Sequence, residues 1–189
     1  MTPEEKVKKL RYERLKRIIP MLVRRTIKIE DGEVIQGERS VEIQVADKHK
    51  KQPPTQDYDA YSPKPKQSAE ETEEELDKEF GGDYFRVEPA KHRGTYKVVS
   101  NVDDDGWADY TKPSEPVPKI KIGQTNYTTL QFELKKAIRT LKNKKYAYRH
   151  EKEKNKIKRI NSTLTLRKSI ANINNPYKNK KNMKGQKWI

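Results

Sequence analysis

Apolar positions divide this chain into short patterned stretches separated by prolines, glycines and charge. Thr2-Pro3-Glu4-Glu5 reads as an N-cap, a proline in the first helical turn and a capping-box glutamate. Val7, Leu10, Leu15, Ile18, Ile19 and Leu22 follow as a ragged helical stripe, and Pro20 should end or kink it. Thr26 to Glu30, Asp31-Gly32 and Glu33 to Gln36 then read as a hairpin about a type I′ turn, with Ser40 to Val45 as a third, strictly alternating strand. The reading is therefore a helix plus a three-strand β meander over residues 1–46.

Residues 47–67 contain Pro53-Pro54, Ser62-Pro63 and Lys64-Pro65, which favour extended backbone and predict a linker. Tyr58 and Tyr61 are the large side chains there and read as anchors onto a partner. Residues 68–122 predict an acidic helix from Ser68 to about Phe80, stopped by Gly81-Gly82. Strands are predicted at Tyr84–Val87, Thr95–Val99, about Trp107–Tyr110 and Lys119–Ile122. Residues 123–189 predict a helix from about Thr128 to Arg159, a second after the cap at Asn161-Ser162-Thr163, and a Lys- and Asn-rich tail.

Composition changes how these elements should assemble. Leu, Ile, Val and Phe number 36 of 189 residues while the net charge is +15, a balance at which burial barely offsets the entropy of ordering the chain. The expected fold class is thus α+β and largely non-globular. It comprises a small helix-plus-β-meander module, short β segments and long basic C-terminal helices, joined by extended Pro-rich linkers.

Charge is laid out in blocks. Residues 1–56 carry +5, residues 57–115 carry −8, and residues 119–189 carry 21 basic against 3 acidic residues. The last block would repel itself unless neutralised, and a phosphate backbone is the natural counter-charge. The predicted nucleic-acid contacts are Lys142, Lys144, Lys145, Arg149, Lys152, Lys156, Lys158 and Arg159 on the helix, with Lys178, Lys180, Lys181 and Lys184 in the tail. Tyr177 and Trp188 join Tyr58 and Tyr61 as anchors. With 31 Lys against 12 Arg, non-specific contact with RNA or DNA backbone fits better than base reading.

Few chemistries announce themselves. There is no cysteine, which removes disulfides and thiol catalysis and suits a reducing compartment. His49, His92 and His150 are scattered, and no HExxH, Gly-rich phosphate loop or GxSxG occurs. Asp103, Asp104, Asp105 and Asp109 have the oxygen ligands for a hard cation but not an EF-hand's spacing, and read as a solvated acidic turn. No apolar run approaches the length of a membrane span.

The expectation is a non-enzymatic structural or assembly subunit without a cofactor. It would sit in a large nucleoprotein particle, such as a virion (minor capsid, neck or packaging-associated protein) or a ribosome-type particle, bridging other protein subunits and contacting nucleic acid. Alternatives are a free-standing nucleic-acid-binding protein or regulator, and an adaptor for acidic protein or membrane surfaces.

Overall fold

A computed structural model describes residues 1–45 and 55–173. The described residues divide into two compact units, 1–44 with 55–133, and 45 with 134–173.

The first unit opens with α1 (Pro3–Leu15), where Thr2 Oγ1 accepts from the Glu5 amide at 3.2 Å and Glu5 Oε2 accepts from the Thr2 amide at 2.6 Å. A 3-10 turn (Lys16–Ile18) leads into α2 (Ile19–Thr26), with Pro20 in its first turn where no amide is needed. Strand β1 (Val34–Gln36) runs directly into α3 (Gly37–Gln44). Then come β2 (Tyr58–Tyr61), α4 (Pro65–Phe80), β3 (Phe85–Pro89), β4 (Thr95–Ser100), β5 (Gly106–Thr111), β6 (Lys119–Ile122) and β7 (Thr125–Thr128). Helix α5 (Leu130–Lys142) begins in this unit and carries the chain into the second. There a 3-10 stretch (Lys144–Arg149) precedes α6 (His150–Ile173).

The seven strands form one mixed sheet in the order β3-β4-β5-β2-β1-β7-β6, with β2 parallel to β5 and β1 parallel to β7. Its core gathers Ile19, Leu22, Val23, Leu76, Phe80, Phe85, Val98 and Tyr110. Phe80 packs at 5.1 Å from Phe85 and 5.9 Å from Tyr12, between ring centroids. Gly81 ends α4 in the left-handed conformation (φ +71°), and its amide returns to the Asp77 carbonyl at 2.8 Å.

This architecture overturns the largely non-globular expectation: the first unit is a compact α/β fold around one mixed sheet. Low apolar content is offset by economical use, because aromatic and β-branched side chains line the sheet while α4 covers it. The supposed three-strand meander is a single strand between two helices. The turn at Asp31-Gly32 exists, with Gly32 at φ +77°. Its predicted first arm, however, is not a strand: α2 ends at Thr26, Ile27 is its buried, extended C-cap, and residues 29–30 already belong to the turn. Ser40 to Gln44 fits two periods; Ser40, Val41 and Gln44 are buried together while Ile43 is 46% exposed, which is the helical solution. The expected linker contains β2, which lies inside the sheet, and Pro65 opens α4. The helix predicted through Arg159 breaks at Asn143, and α6 passes through Asn161-Ser162-Thr163 without capping there.

Candidate active site

Strands β2 and β5 carry the distinctive chemistry. Along β2, Tyr58 and Ala60 are buried, so Asp59 points to the opposite face, and Asp57 lies exposed in the bend just before the strand. Along β5, Ala108 and Tyr110 are buried and Asp109 alternates outward. The parallel register sets Asp59 beside Asp109. Asp59 and Asp109 thus lie side by side on one face of the strand pair, and the charge of Asp57 reaches Asp109.

The surroundings fit the cluster. Gln36 pairs with Asp59, and Gly37 follows at φ +70°. A Cβ at Gly37 would stand 2.8 Å from Asp59 Oδ2, so this turn brings bare backbone against the carboxylate where any other residue would clash. Thr55 Oγ1 donates to Asp57 Oδ1 at 2.6 Å. Lys97, opposite Asp109 on β4, places its ammonium 3.8 Å from Asp109 Oδ2. Burial pushes the Asp109 carboxyl up to about 6; Lys97 opposes the shift, and the charges of Asp59 and Asp57 add to it. Burial also pushes the Tyr61 hydroxyl up to about 12, with Glu133, Asp59 and Glu115 contributing.

Among the described residues no three or more His, Cys, Asp or Glu side chains are grouped so that they could hold a metal ion by themselves. The donor chemistry of the adjacent Asp59 and Asp109 still suits a hard divalent cation such as Mg²⁺ or Mn²⁺, with substrate oxygens completing its shell.

The acidic turn after β4 is a different arrangement. Lys16 Nζ bridges Asp103 at 2.6 Å and Asp105 at 2.7 Å, and Arg86 holds Asp104 at 2.9 Å. Tyr12 donates to Asp103 at 3.0 Å and accepts from the Trp107 indole at 3.1 Å. Protein cations, rather than solvent alone, neutralise this turn, and Asp109 stands apart from it on β5.

The residues singled out from sequence are dispersed. Tyr58 is 7% exposed, beneath the Arg39 guanidinium, and Tyr61 packs edge-on against Phe132 at 6.2 Å. In the second unit Lys142, Lys144, Lys145, Lys152 and Lys158 are exposed, and Arg159 is half-buried. Arg149 and Lys156 both pair with Glu153, at 3.2 and 3.5 Å, and Lys156 is itself buried. Tyr177, Lys178, Lys180, Lys181, Lys184 and Trp188 lie outside the described residues. Sequence reasoning passed over Asp57 and Asp59. Their signal was the alternation Asp57-Tyr58-Asp59-Ala60-Tyr61, a strand with two carboxylates on one face.

The mixed sheet, with Asp59 and Asp109 on adjacent parallel strands beside a strand–glycine–helix turn, has a counterpart among solved structures. The crystal structure of the Megavirus polyadenylate synthase shares the fold, at a TM-score of 0.65 and 18% identity, covering 79% of this chain and 31% of that one. This chain thus spans about a third of that protein's length. No family model and no curated protein matches the sequence. The expectation of a non-enzymatic particle subunit, with its regulator and adaptor alternatives, gives way to this likeness. The fold is shared with an enzyme, and nothing in it supports a virion or scaffold role. Among the described residues no helix is long and apolar enough to cross a membrane.

Proposed function

We propose that the chain is a nucleotidyl-transfer enzyme, or the catalytic part of one, that adds nucleotides to the end of a polynucleotide. The observation that carries this reading is the pairing of Asp59 with Asp109 on the parallel strands β2 and β5, with Asp57 just before β2. The likeness to a polyadenylate synthase supports it.

In the proposed reaction the terminal hydroxyl oxygen of the acceptor attacks the α-phosphorus of a nucleoside triphosphate. A new P–O bond forms, the bond to the β-phosphate oxygen breaks, and pyrophosphate leaves. Asp57, Asp59 and Asp109 would hold divalent cations, which when bound offset the triphosphate charge and polarise the reacting oxygens. Asp109, pushed up to about 6 by burial, is ionised at neutral pH and so available to hold a cation, and the hydroxyl proton passes to water. Gly37 leaves room beside Asp59 for substrate to approach the backbone. Lys97 adds a positive charge next to Asp109.

The basic C-terminal third supplies a phosphate-binding surface for the acceptor in this reading. Lys142, Lys144, Lys145, Lys152 and Lys158 are exposed on α5, the 3-10 stretch and α6. Contact of this kind is independent of sequence and weakens with salt.

The test is extension of a labelled oligoribonucleotide by the full chain with each nucleoside triphosphate in Mg²⁺ or Mn²⁺. Extension with pyrophosphate release, lost in Asp59→Asn, is expected. A wild-type chain that neither extends the oligonucleotide nor releases pyrophosphate refutes the proposal.

A further inference from the structure

We infer that Arg39 is a positioning residue that seats Asp57 in the carboxylate cluster through the backbone of Gln56 and Asp57; the inference rests on the nucleotidyl-transfer reading above. Asp57 is the least secured of the three carboxylates. It precedes the first residue of β2, so the strand ladder that fixes Asp59 and Asp109 does not reach it. It is also exposed, and its charge acts on that of Asp109. Left to those forces, the segment before β2 would swing its carboxylate into water, where like charges are better screened.

Arg39 opposes this from the first turn of α3. Its Nε donates to the Asp57 carbonyl at 3.1 Å and its Nη2 donates to the Gln56 carbonyl at 2.8 Å. The guanidinium carbon lies over Tyr58, 3.9 Å from the ring centroid. Both carbonyls are engaged by one rigid fork, which fixes the peptide plane between them. A flexible ammonium cannot reproduce that geometry. One turn further along the same helix, Glu42 accepts from the Thr55 amide at 3.4 Å, and Thr55 in turn holds the Asp57 carboxylate. Helix α3 therefore governs two carboxylates at once: Gly37 abuts Asp59, and Arg39 draws in Asp57.

The experiment titrates Mn²⁺ into the full chain without nucleotide, following free Mn²⁺ by electron paramagnetic resonance, with the thermal midpoint as a check on folding. Arg39→Lys is expected to weaken Mn²⁺ binding roughly 10- to 100-fold, the range for groups that orient metal ligands. In an Asp57→Asn background the same substitution is expected to cost nothing further, because the group it positions is gone. An Arg39→Lys chain that has lost its thermal transition is replaced in this cycle by Arg39→Gln, which keeps one planar donor. Wild-type affinity in the Arg39 variant, or an equal loss with Asp57→Asn present, overturns the positioning role while leaving the transferase reading intact. A wild-type chain that binds no Mn²⁺, with Asp59→Asn and Asp109→Asn indistinguishable from it, overturns both.

Discussion

Replacing Asp109 by Asn should make the protein more stable while removing its proposed activity. The Asp109 carboxyl is raised from 3.8 to about 6, chiefly by burial, with the charges of Asp59 and Asp57 adding to the shift against Lys97. Between about pH 4 and pH 6 the folded carboxyl holds a proton that the unfolded chain has lost. Wild-type stability therefore falls as pH rises through that window, and the deficit is complete above it. A shift of this size corresponds to roughly 3 kcal/mol at most. The Asp109 side chain remains 34% exposed, so solvent screening reduces the recoverable part to about 1–2 kcal/mol. For a unit of this size that is a rise of roughly 2–8 °C in thermal midpoint. The assay is thermal unfolding of wild type and Asp109→Asn near pH 8 and near pH 4, with Mn²⁺ titrations alongside. The variant should gain its full margin at pH 8, lose it near pH 4, and no longer show a step in Mn²⁺ affinity near pH 6. A variant less stable than wild type at pH 8 would refute the claim that Asp109 is held at a cost in a repulsive cluster.

Gly37→Ala places a methyl 2.8 Å from Asp59 Oδ2 at φ +70°; it should cost more than about 1 kcal/mol and abolish extension, measured by denaturant unfolding and oligonucleotide lengthening. Thr72→Val removes the hydroxyl bonded to Tyr110 at 2.7 Å and to Thr26 at 2.7 Å, and should cost about 1–3 kcal/mol in the same unfolding assay. Phe80→Ala opens a cavity among Tyr12, Tyr84 and Phe85 and should cost about 3–5 kcal/mol, enough to separate the aromatic core from the sheet edge in hydrogen exchange. Lys144→Gln with Lys145→Gln should lower the salt dependence of RNA binding by about two contacts on any sequence, read by fluorescence anisotropy; a loss confined to one sequence would sink the non-specific contact model.

What the sequence by itself determined was local. Thr2 and Glu5 wrote the start of α1, and Gly81 wrote the end of α4, because caps are satisfied by neighbours along the chain. Strands β3 to β6 were legible from their alternation and turns, whereas β7, the polar Thr125–Thr128, was not. The excess positive charge of the last third was plain in a count. Other segments were undecidable locally. Ser40 to Val45 alternates well enough for a strand, and only the positive φ at Gly37 and the packing of Ser40 and Gln44 against Thr128 made it α3. Prolines on either side of Tyr58–Tyr61 disguised β2 as a linker, although proline restricts its own residue and the one before it, not a strand a few residues away. The Asp57–Asp59 pair could have been read from that alternation; its meaning could not. Asp109 joins it through parallel pairing of β2 with β5, strands separated in sequence by α4, β3 and β4. Sheet order is decided by which buried faces fit together, and that is a property of the assembled core rather than of any stretch of chain.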